Sequence, residues 1–233
     1  MGKDPTALKG ISSMATRQLL AELAAAWQAQ GGEPVDIESV GGVDAARRVQ
    51  DGEAFDAVFL AADAIARLEA AGRLLADSRV DLVRSSTAVA VPAGRDMPDI
   101  SCEDAVRAAV LAAPGIGYST GPSGVALQRL FERWGIAEQI APRMVQAPPG
   151  VPVGSLVAKG EVALGFQQLS ELMGLPGIDV VGPLPPAVQI ETVFAGGVVA
   201  TSARAPEVQA LLRFMAHGDG TAALKQAHGM APA

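Results

Sequence analysis

The chain has 233 residues, of which 49% are hydrophobic, 18% charged and only 4% aromatic. Its 18 basic and 25 acidic residues give a formal net charge of -7, so it lacks the basic field and the stacking aromatics of a nucleic-acid binder. The apolar share suffices for a buried core, and no segment approaches the roughly 18 uninterrupted apolar residues of a membrane span. We therefore expect a soluble α/β protein with no nucleic-acid partner and no membrane insertion.

Cysteine and histidine are too sparse to indicate a metal site. Cys102 is the single cysteine and cannot form an internal disulfide. His217 and His228 have no carboxylate or cysteine at zinc-ligand spacing. The common nucleophile, metalloprotease and phosphate-loop motifs are also missing. The sequence thus predicts no metal and no cofactor, and it assigns no catalytic residue.

The first five residues are polar and lack the apolar stretch of a signal peptide. Two alternatives stay open at this point. The protein is cytoplasmic if Met1 is its native start, and periplasmic if a leader has been removed.

Helical and strand-like patterns alternate along the chain after a first strand that begins near residue 7. Helices are predicted at 14–30, 43–51, 63–72, 99–113, 125–134, 153–159, 168–173 and 206–216. Further strands are predicted at 35–38, 57–60, 87–91, 116–118, 162–166, 178–181 and 193–201, and the last five residues are expected to be a loose tail. Short strands separated by helices predict a mostly parallel sheet, because parallel strands need crossover connections.

Four strand-to-helix loops are rich in small hydroxyl, glycine or amide residues: 10–13, 39–42, 119–124 and 167–168. In sheets of this kind, ligands bind beyond the carboxyl ends of the strands, where helix N-termini offer free N–H groups. Any one of these loops could be an ordinary helix cap. Four of them at corresponding positions predict a shared anion-binding cleft.

Several segments in a fixed order extend this pattern over nearly the whole chain. They are residues 10–15 leading into a long helix, 45–52 followed by 55–59, then 118–124, 157–161 and 165–171. In this order they resemble the molybdate-binding-protein-like branch of bacterial solute-binding proteins, which has the type II periplasmic-binding-protein fold.

The resemblance implies two α/β lobes with mostly parallel sheets flanked by helices and a ligand cleft between the lobes. Carried onto this chain, lobe one is 6–84 plus 192–233 and lobe two is 85–191. The crossover strands fall near 84–88 and 189–193, and hinge closure around a ligand is the motion that such a layout permits.

The resemblance also implies a set of ligand-binding positions: Ser12, Ser13, Arg17, Gly41, Gly42, Arg84, Ser119, Thr120, Ser123, Gly124, Gln167 and Gln168. Glycines stand near the place of the family's second serine, and Gln167 and Gln168 stand where a tyrosine often closes the molybdate site. Amides suit an organic carboxylate with hydroxyl or carbonyl groups. A guanidinium binds a carboxylate through two hydrogen bonds, although Arg17 could simply be a solvated helix residue.

The leading hypothesis is therefore a monomeric solute-binding protein that holds a small anion, an organic di- or tricarboxylate, and delivers it to the membrane component of an ABC transporter. Molybdate or tungstate binding is one alternative. A second is an isomerase, because the same branch is similar to aconitate isomerase. That reaction needs a base, and the nearby carboxylates Glu38, Glu171 and Glu191 could equally be surface or capping residues. A third is a ligand-sensing module like the effector domain of LysR-type regulators, for which no DNA-binding helix-turn-helix precedes the first strand.

Overall fold

A computed structural model describes residues 7–233. Residue 6, the first residue of predicted lobe one, lies outside the described residues. So do the first five residues, from which the two alternatives for the cellular compartment were drawn. The chain divides into two compact units. Unit 1 comprises the chain up to Arg84 together with Val193–Ala233, and unit 2 comprises Ser85–Thr192. Both boundaries fall inside strands.

The elements alternate along the described chain much as the periodicities predict. The helices are α1 (Arg17–Ala29), α2 (Gly42–Gln50), α3 (Ala62–Ala70), α4 (Glu103–Ala112), α5 (Pro122–Arg133), α6 (Ala137–Ile140), α7 (Val153–Ala158), α8 (Leu169–Leu172), α9 (Ala205–His217) and α10 (Thr221–Ala227). The strands are β1 (Leu8–Ser13), β2 (Val35–Val40), β3 (Ala57–Ala61), β4 (Val80–Pro92), β5 (Ile116–Tyr118), β6 (Met144–Gln146), β7 (Leu164–Gln168), β8 (Ile178–Pro183), β9 (Glu191–Val198) and β10 (Met230–Pro232). Short 3-10 turns occupy Met14–Thr16, Ala141–Arg143 and Pro186–Val188.

The sheet of unit 1 brings three strand ends to one edge. Strand β1 pairs in parallel with β2 on one side and β3 on the other, and β3 pairs antiparallel with β9. Helices α2 and α3 begin directly after β2 and β3. Buried Phe59 and Leu211 belong to the core on one face, and Ile11 and Ile65 belong to the core on the other. The carboxyl edge of this sheet is therefore lined by loops and helix N-termini.

Unit 2 repeats this arrangement with a shorter parallel core. Strand β5 pairs in parallel with β6 and β7, while β4 runs antiparallel to β7 and β8. Phe131 and Phe166 pack on one side, and Val153 and Leu172 belong to the cluster on the other. Helices α5 and α8 begin at the carboxyl ends of β5 and β7, so this edge too is lined by strand-to-helix turns.

These layers confirm the predicted fold class, a mixed α/β structure with helices flanking mostly parallel sheets. Strand β4 is longer than expected, because it begins at Val80 rather than at residue 87. Exposed Asp81 and Arg84 interrupt its buried positions, and a charged residue in a half-exposed strand hides the pattern from a search for apolar runs.

The expectation of a loose tail was wrong. Helix α10 and strand β10 order the end of the chain, and Met230 is buried in the unit 1 core. Lys225 is also buried, and its Nζ donates a hydrogen bond to the carbonyl oxygen of Ala216 at 2.6 Å. This burial lowers the pKa of Lys225. Within residues 7–233, no helix is both long enough and apolar enough to cross a membrane.

Candidate ligand site

The carboxyl edge of unit 1 carries three serine hydroxyls. Ser12 lies opposite Ser39 in the parallel register of β1 and β2, and their Oγ atoms are 2.7 Å apart. Ser12 is fully buried and Ser13 is nearly so. The Oγ atom of Ser13 has no hydrogen-bond partner among the described residues. The edge therefore holds one hydroxyl pair and one buried hydroxyl with its hydrogen-bonding capacity unused.

Helix α2 adds backbone donors to the same edge. Gly41 precedes its first residue, Gly42, and the first-turn N–H groups of a helix have no partner inside it. A Cβ built on Gly42 would lie 3.5 Å from the Cβ of Ser13, so the helix start and the Ser13 hydroxyl are neighbours. Ser39 was not among the predicted binding positions. Ser39 is identified by its position opposite Ser12 in the parallel register of β1 and β2, and no local sequence pattern shows that register.

The two predicted arginines, Arg17 and Arg84, have exposed side chains. Arg17 begins α1 and forms no ion pair among the described residues. It lines a groove of about 500 Å³ along α1 and β2 that reaches Ser39. Arg84 lies on β4 between buried Val83 and Ser85, with its own side chain directed outward. Their roles in binding stay predictions.

In unit 2 the turn between β5 and α5 forms a second hydroxyl pair. The Oγ atoms of Ser119 and Ser123 are 3.1 Å apart, and Ser123 is buried. Thr120 lies in the same turn and is partly exposed. A Cβ on Gly124 would overlap the carbonyl oxygen of Ser119. Gly124 thus has a steric role, since only glycine lets α5 approach the turn this closely.

The two predicted glutamines close β7 with buried side chains that already have partners. The Oε1 atom of Gln167 accepts a hydrogen bond from the backbone N–H of Val153 at 2.7 Å. The Nε2 atom of Gln168 donates to Oγ1 of Thr192 at 2.7 Å. The Oε1 atom of Gln168 has no partner among the described residues. This buried oxygen of Gln168 is available to accept a hydrogen bond.

Sequence reasoning missed Ser85 and Thr87, which lie on β4 beside these amides. Thr87 is opposite Gln168 in the β4–β7 register, and both hydroxyl-bearing side chains are fully buried. Their hydroxyl oxygens have no hydrogen-bond partner in the part of the chain that the structure describes. The signal available from the sequence is the Ser85-Ser86-Thr87 run within an otherwise apolar strand end.

The three candidate carboxylates have different environments. Glu38 forms an ion pair with Arg48, with oxygen–nitrogen distances of 2.6 and 2.9 Å, and this hydrogen bonding lowers the pKa of Glu38. Glu191 is exposed. Glu171 is partly buried, and burial raises its pKa to about 7 although a hydrogen bond from the Gln167 side chain acts in the opposite direction. Glu171 can therefore gain or lose a proton near neutral pH.

The sequence matches the family of bacterial extracellular solute-binding proteins over residues 8–231, and the chain belongs to that family. It is 37% identical over 233 residues to a Pseudomonas protein named aconitate isomerase, covering 97% of this chain and 88% of the relative. This membership confirms the resemblance drawn from the strand-to-helix segments.

Solved structures of low sequence identity share the fold. The periplasmic molybdate-binding protein of Azotobacter vinelandii is 21% identical, with a TM-score of 0.79 over 96% of this chain and 98% of that one. The sulfate-binding protein SubI of Mycobacterium tuberculosis is 19% identical, with a TM-score of 0.76 over 98% and 87%. These likenesses establish the periplasmic-binding-protein fold alone.

Proposed function

We propose that this chain binds a small organic carboxylate, specifically a tricarboxylate of the aconitate type, through the neutral donors at its strand ends. The observation that carries the proposal is the recurrence of a partly buried hydroxyl pair, Ser12 with Ser39 and Ser119 with Ser123, at the carboxyl ends of strands in both units. Hydroxyl and N–H donors bind an anion without a counter-charge, and hydrogen bonds to a charged acceptor are stronger than neutral ones.

Two further observations favour a carboxylate over a tetrahedral oxyanion. Where the resemblance leads us to expect a tyrosine, unit 2 has two buried amides, and the side-chain oxygen of Gln168 has no hydrogen-bond partner within residues 7–233. The 37% identical relative is named for an activity on a tricarboxylate. Amide and hydroxyl groups that can both donate and accept suit a ligand with several carboxyl groups.

The test is a thermal-shift screen with molybdate, tungstate, sulfate, citrate, cis-aconitate and trans-aconitate. A ligand at 100 times its dissociation constant adds about 2.7 kcal/mol to the free energy of unfolding. We expect the tricarboxylates to raise the melting temperature and molybdate to leave it unchanged. A selective response to molybdate or tungstate would contradict the proposal.

A second candidate function is interconversion of the aconitate isomers. It is favoured by the name of the relative and by the partly buried Glu171, whose pKa of about 7 suits proton transfer. Proton NMR of cis-aconitate incubated with the protein would show trans-aconitate accumulating. If the signals do not change while binding persists, the protein binds its ligand without turnover.

Binding without turnover would suit delivery of the ligand to the membrane component of an ABC transporter, a role supported by family membership. Such a carrier is expected to be a monomer with and without its ligand. Sedimentation equilibrium at several concentrations tests this, and a ligand-dependent dimer would contradict it.

A further inference from the structure

The position of Glu171 is set by the short helix that follows β7. Its neighbour Leu172 is fully buried in an apolar cluster with Val153 and Leu156, so α8 is anchored directly beyond the strand end. Glu171 lies four residues after Gln167 and receives a hydrogen bond from its side chain. The carboxyl group therefore lies at the same edge of unit 2 as the predicted binding residues Gln167 and Gln168.

The orientation of the Gln167 amide follows from its other partner. A backbone N–H can only donate, so the atom that faces Val153 N, at 2.7 Å, is the amide oxygen. The NH2 group is then the end that faces Glu171, and it donates to the carboxylate oxygen. Gln167 thus holds the deprotonated form of Glu171 in one orientation.

Among the described residues, no cation forms an ion pair with this carboxylate. Glu38 in unit 1 forms an ion pair with Arg48, whereas Glu171 forms no ion pair with any Lys, Arg or His among residues 7–233. A partly buried carboxyl group with an amide donor and no counter-charge among these residues costs free energy. Such an arrangement is typical of a group that has to exchange a proton.

We propose that Glu171 is the proton-transfer group for aconitate isomerisation and that Gln167 is its positioning residue. This inference rests on the second candidate function above. Glu171 removes a proton from the methylene carbon next to a carboxylate, and the C–H electron pair forms a new double bond while the existing one shifts toward the adjacent carboxylate. The resulting carboxylic acid returns the proton to the far carbon, which leaves the double bond moved and Glu171 regenerated.

The chemistry needs no partner beyond this carboxyl group. One group takes and returns the same proton, so no oxidant, reductant or second base is consumed. Since the pKa of Glu171 is about 7, both of its protonation states are populated at neutral pH. The hydroxyl pair of the same unit, Ser119 with Ser123, would hold another carboxylate of the ligand in place.

The deciding experiment compares the wild-type protein with Glu171→Gln, in which a neutral amide of similar shape replaces the carboxyl. Isomerisation is followed in deuterium oxide by NMR, and trans-aconitate affinity is measured separately by calorimetry. We expect affinity within about threefold of the wild type and a loss of at least 100-fold in kcat, the usual contribution of a general base. Glu161→Gln, at an exposed carboxylate of the same unit, should change neither quantity.

The outcomes separate the two proposals. If Glu171→Gln isomerises at the wild-type rate, or if the wild type binds aconitate without turnover or deuterium uptake, the assignment of Glu171 is overturned. If the wild type binds no tricarboxylate at all, the proposed function itself is rejected.

A second variant keeps the proposal testable should Glu171→Gln fail to fold. Gln167→Leu removes the donor that lowers the pKa of Glu171, so the base would become deprotonated at a higher pH. We expect the acid limb of the kcat/KM profile to move to higher pH. An unchanged limb in an active, folded Gln167→Leu protein would overturn the assignment, because a merely structural role would leave the profile in place.

Discussion

The two units each have a partly buried hydroxyl pair at a carboxyl edge, but they form it in different ways. In unit 1, Ser12 and Ser39 come from neighbouring parallel strands and lie 27 residues apart in sequence. In unit 2, Ser119 and Ser123 belong to one turn and lie four residues apart. The first pair depends on strand register and the second on local helix geometry. Similar donor sets can thus arise from tertiary pairing or from a single turn.

The carboxylates of the two units differ more sharply. Glu38 in unit 1 shares Arg48 with Glu53 in a partly exposed ion network. Glu171 in unit 2 is partly buried, and the Gln167 amide donates to it. The pKa of a carboxyl group near a strand end is therefore lowered where an arginine pairs with it and raised where burial removes it from water.

The largest expected effect tests whether Gly124 is needed for the close turn that forms the Ser119–Ser123 pair of unit 2. Gly124→Ala places a methyl group onto the Ser119 carbonyl oxygen, so α5 and the turn have to separate. We expect a loss of about 3 kcal/mol in the free energy of unfolding, at the upper end of overpacking costs. Urea denaturation measures it. Gly121→Ala is the matched control, because its Cβ would meet only Ser119 Oγ at 3.8 Å. Equal stability of both variants would refute the steric role of Gly124.

The next effect concerns pH and the contrast between the carboxylates. The folded-state pKa of Glu171 is about 7, above its ordinary value of 4.5, so the folded protein binds more protons between these two values. The free energy of unfolding should therefore fall as pH rises from about 4.5 to about 7, by at most about 3 kcal/mol. Glu171→Gln removes this dependence and should be the more stable protein at pH 8 but not at pH 4.5. Parallel pH dependences of the two proteins, measured by denaturant unfolding, would contradict the buried-carboxylate description.

A smaller effect tests whether the Ser12–Ser39 pair of unit 1 binds the ligand. Ser12→Ala removes one hydroxyl from the unit 1 edge, and a hydrogen bond to a charged group contributes about 2 kcal/mol. We expect tricarboxylate affinity to fall by roughly 30-fold in calorimetry. Ser78→Ala removes a buried hydroxyl of the same unit that accepts a hydrogen bond from Val198 N. This control should lower stability and spare affinity; the reverse pattern would place the site elsewhere.

The smallest effect sharpens the role of the α2 N-terminus. Gly42→Ala has room for its methyl group, 3.5 Å from Ser13 Cβ. Replacing glycine in a helix should raise stability by about 0.5 kcal/mol. If the anion approaches Ser13 and the helix start together, the same methyl group will weaken binding. Unchanged affinity in Gly42→Ala would show that α2 does not contribute to the site.

Much of the fold follows from local pattern. The alternation of strands and helices, and the small hydroxyl and glycine residues where each strand ends, predicted an α/β fold and a candidate edge. The start of strand β4 and the two C-terminal elements, α10 and β10, could not be predicted from local pattern. Charged positions break the apolar run of β4, and β10 is too short to have a recognisable period.

The sequence by itself determined the class of fold, the family, and the turns at which hydroxyls and helix N-termini occur, because these depend on spacing and residue type within short stretches. The tertiary structure alone decided which side chains have partners. It paired Ser39 with Ser12, directed Gln167 to Val153, and left Glu171 partly buried while Glu38 gained Arg48. Burial and charge pairing are set by residues distant in sequence, and they raise the pKa of Glu171 while they lower that of Glu38.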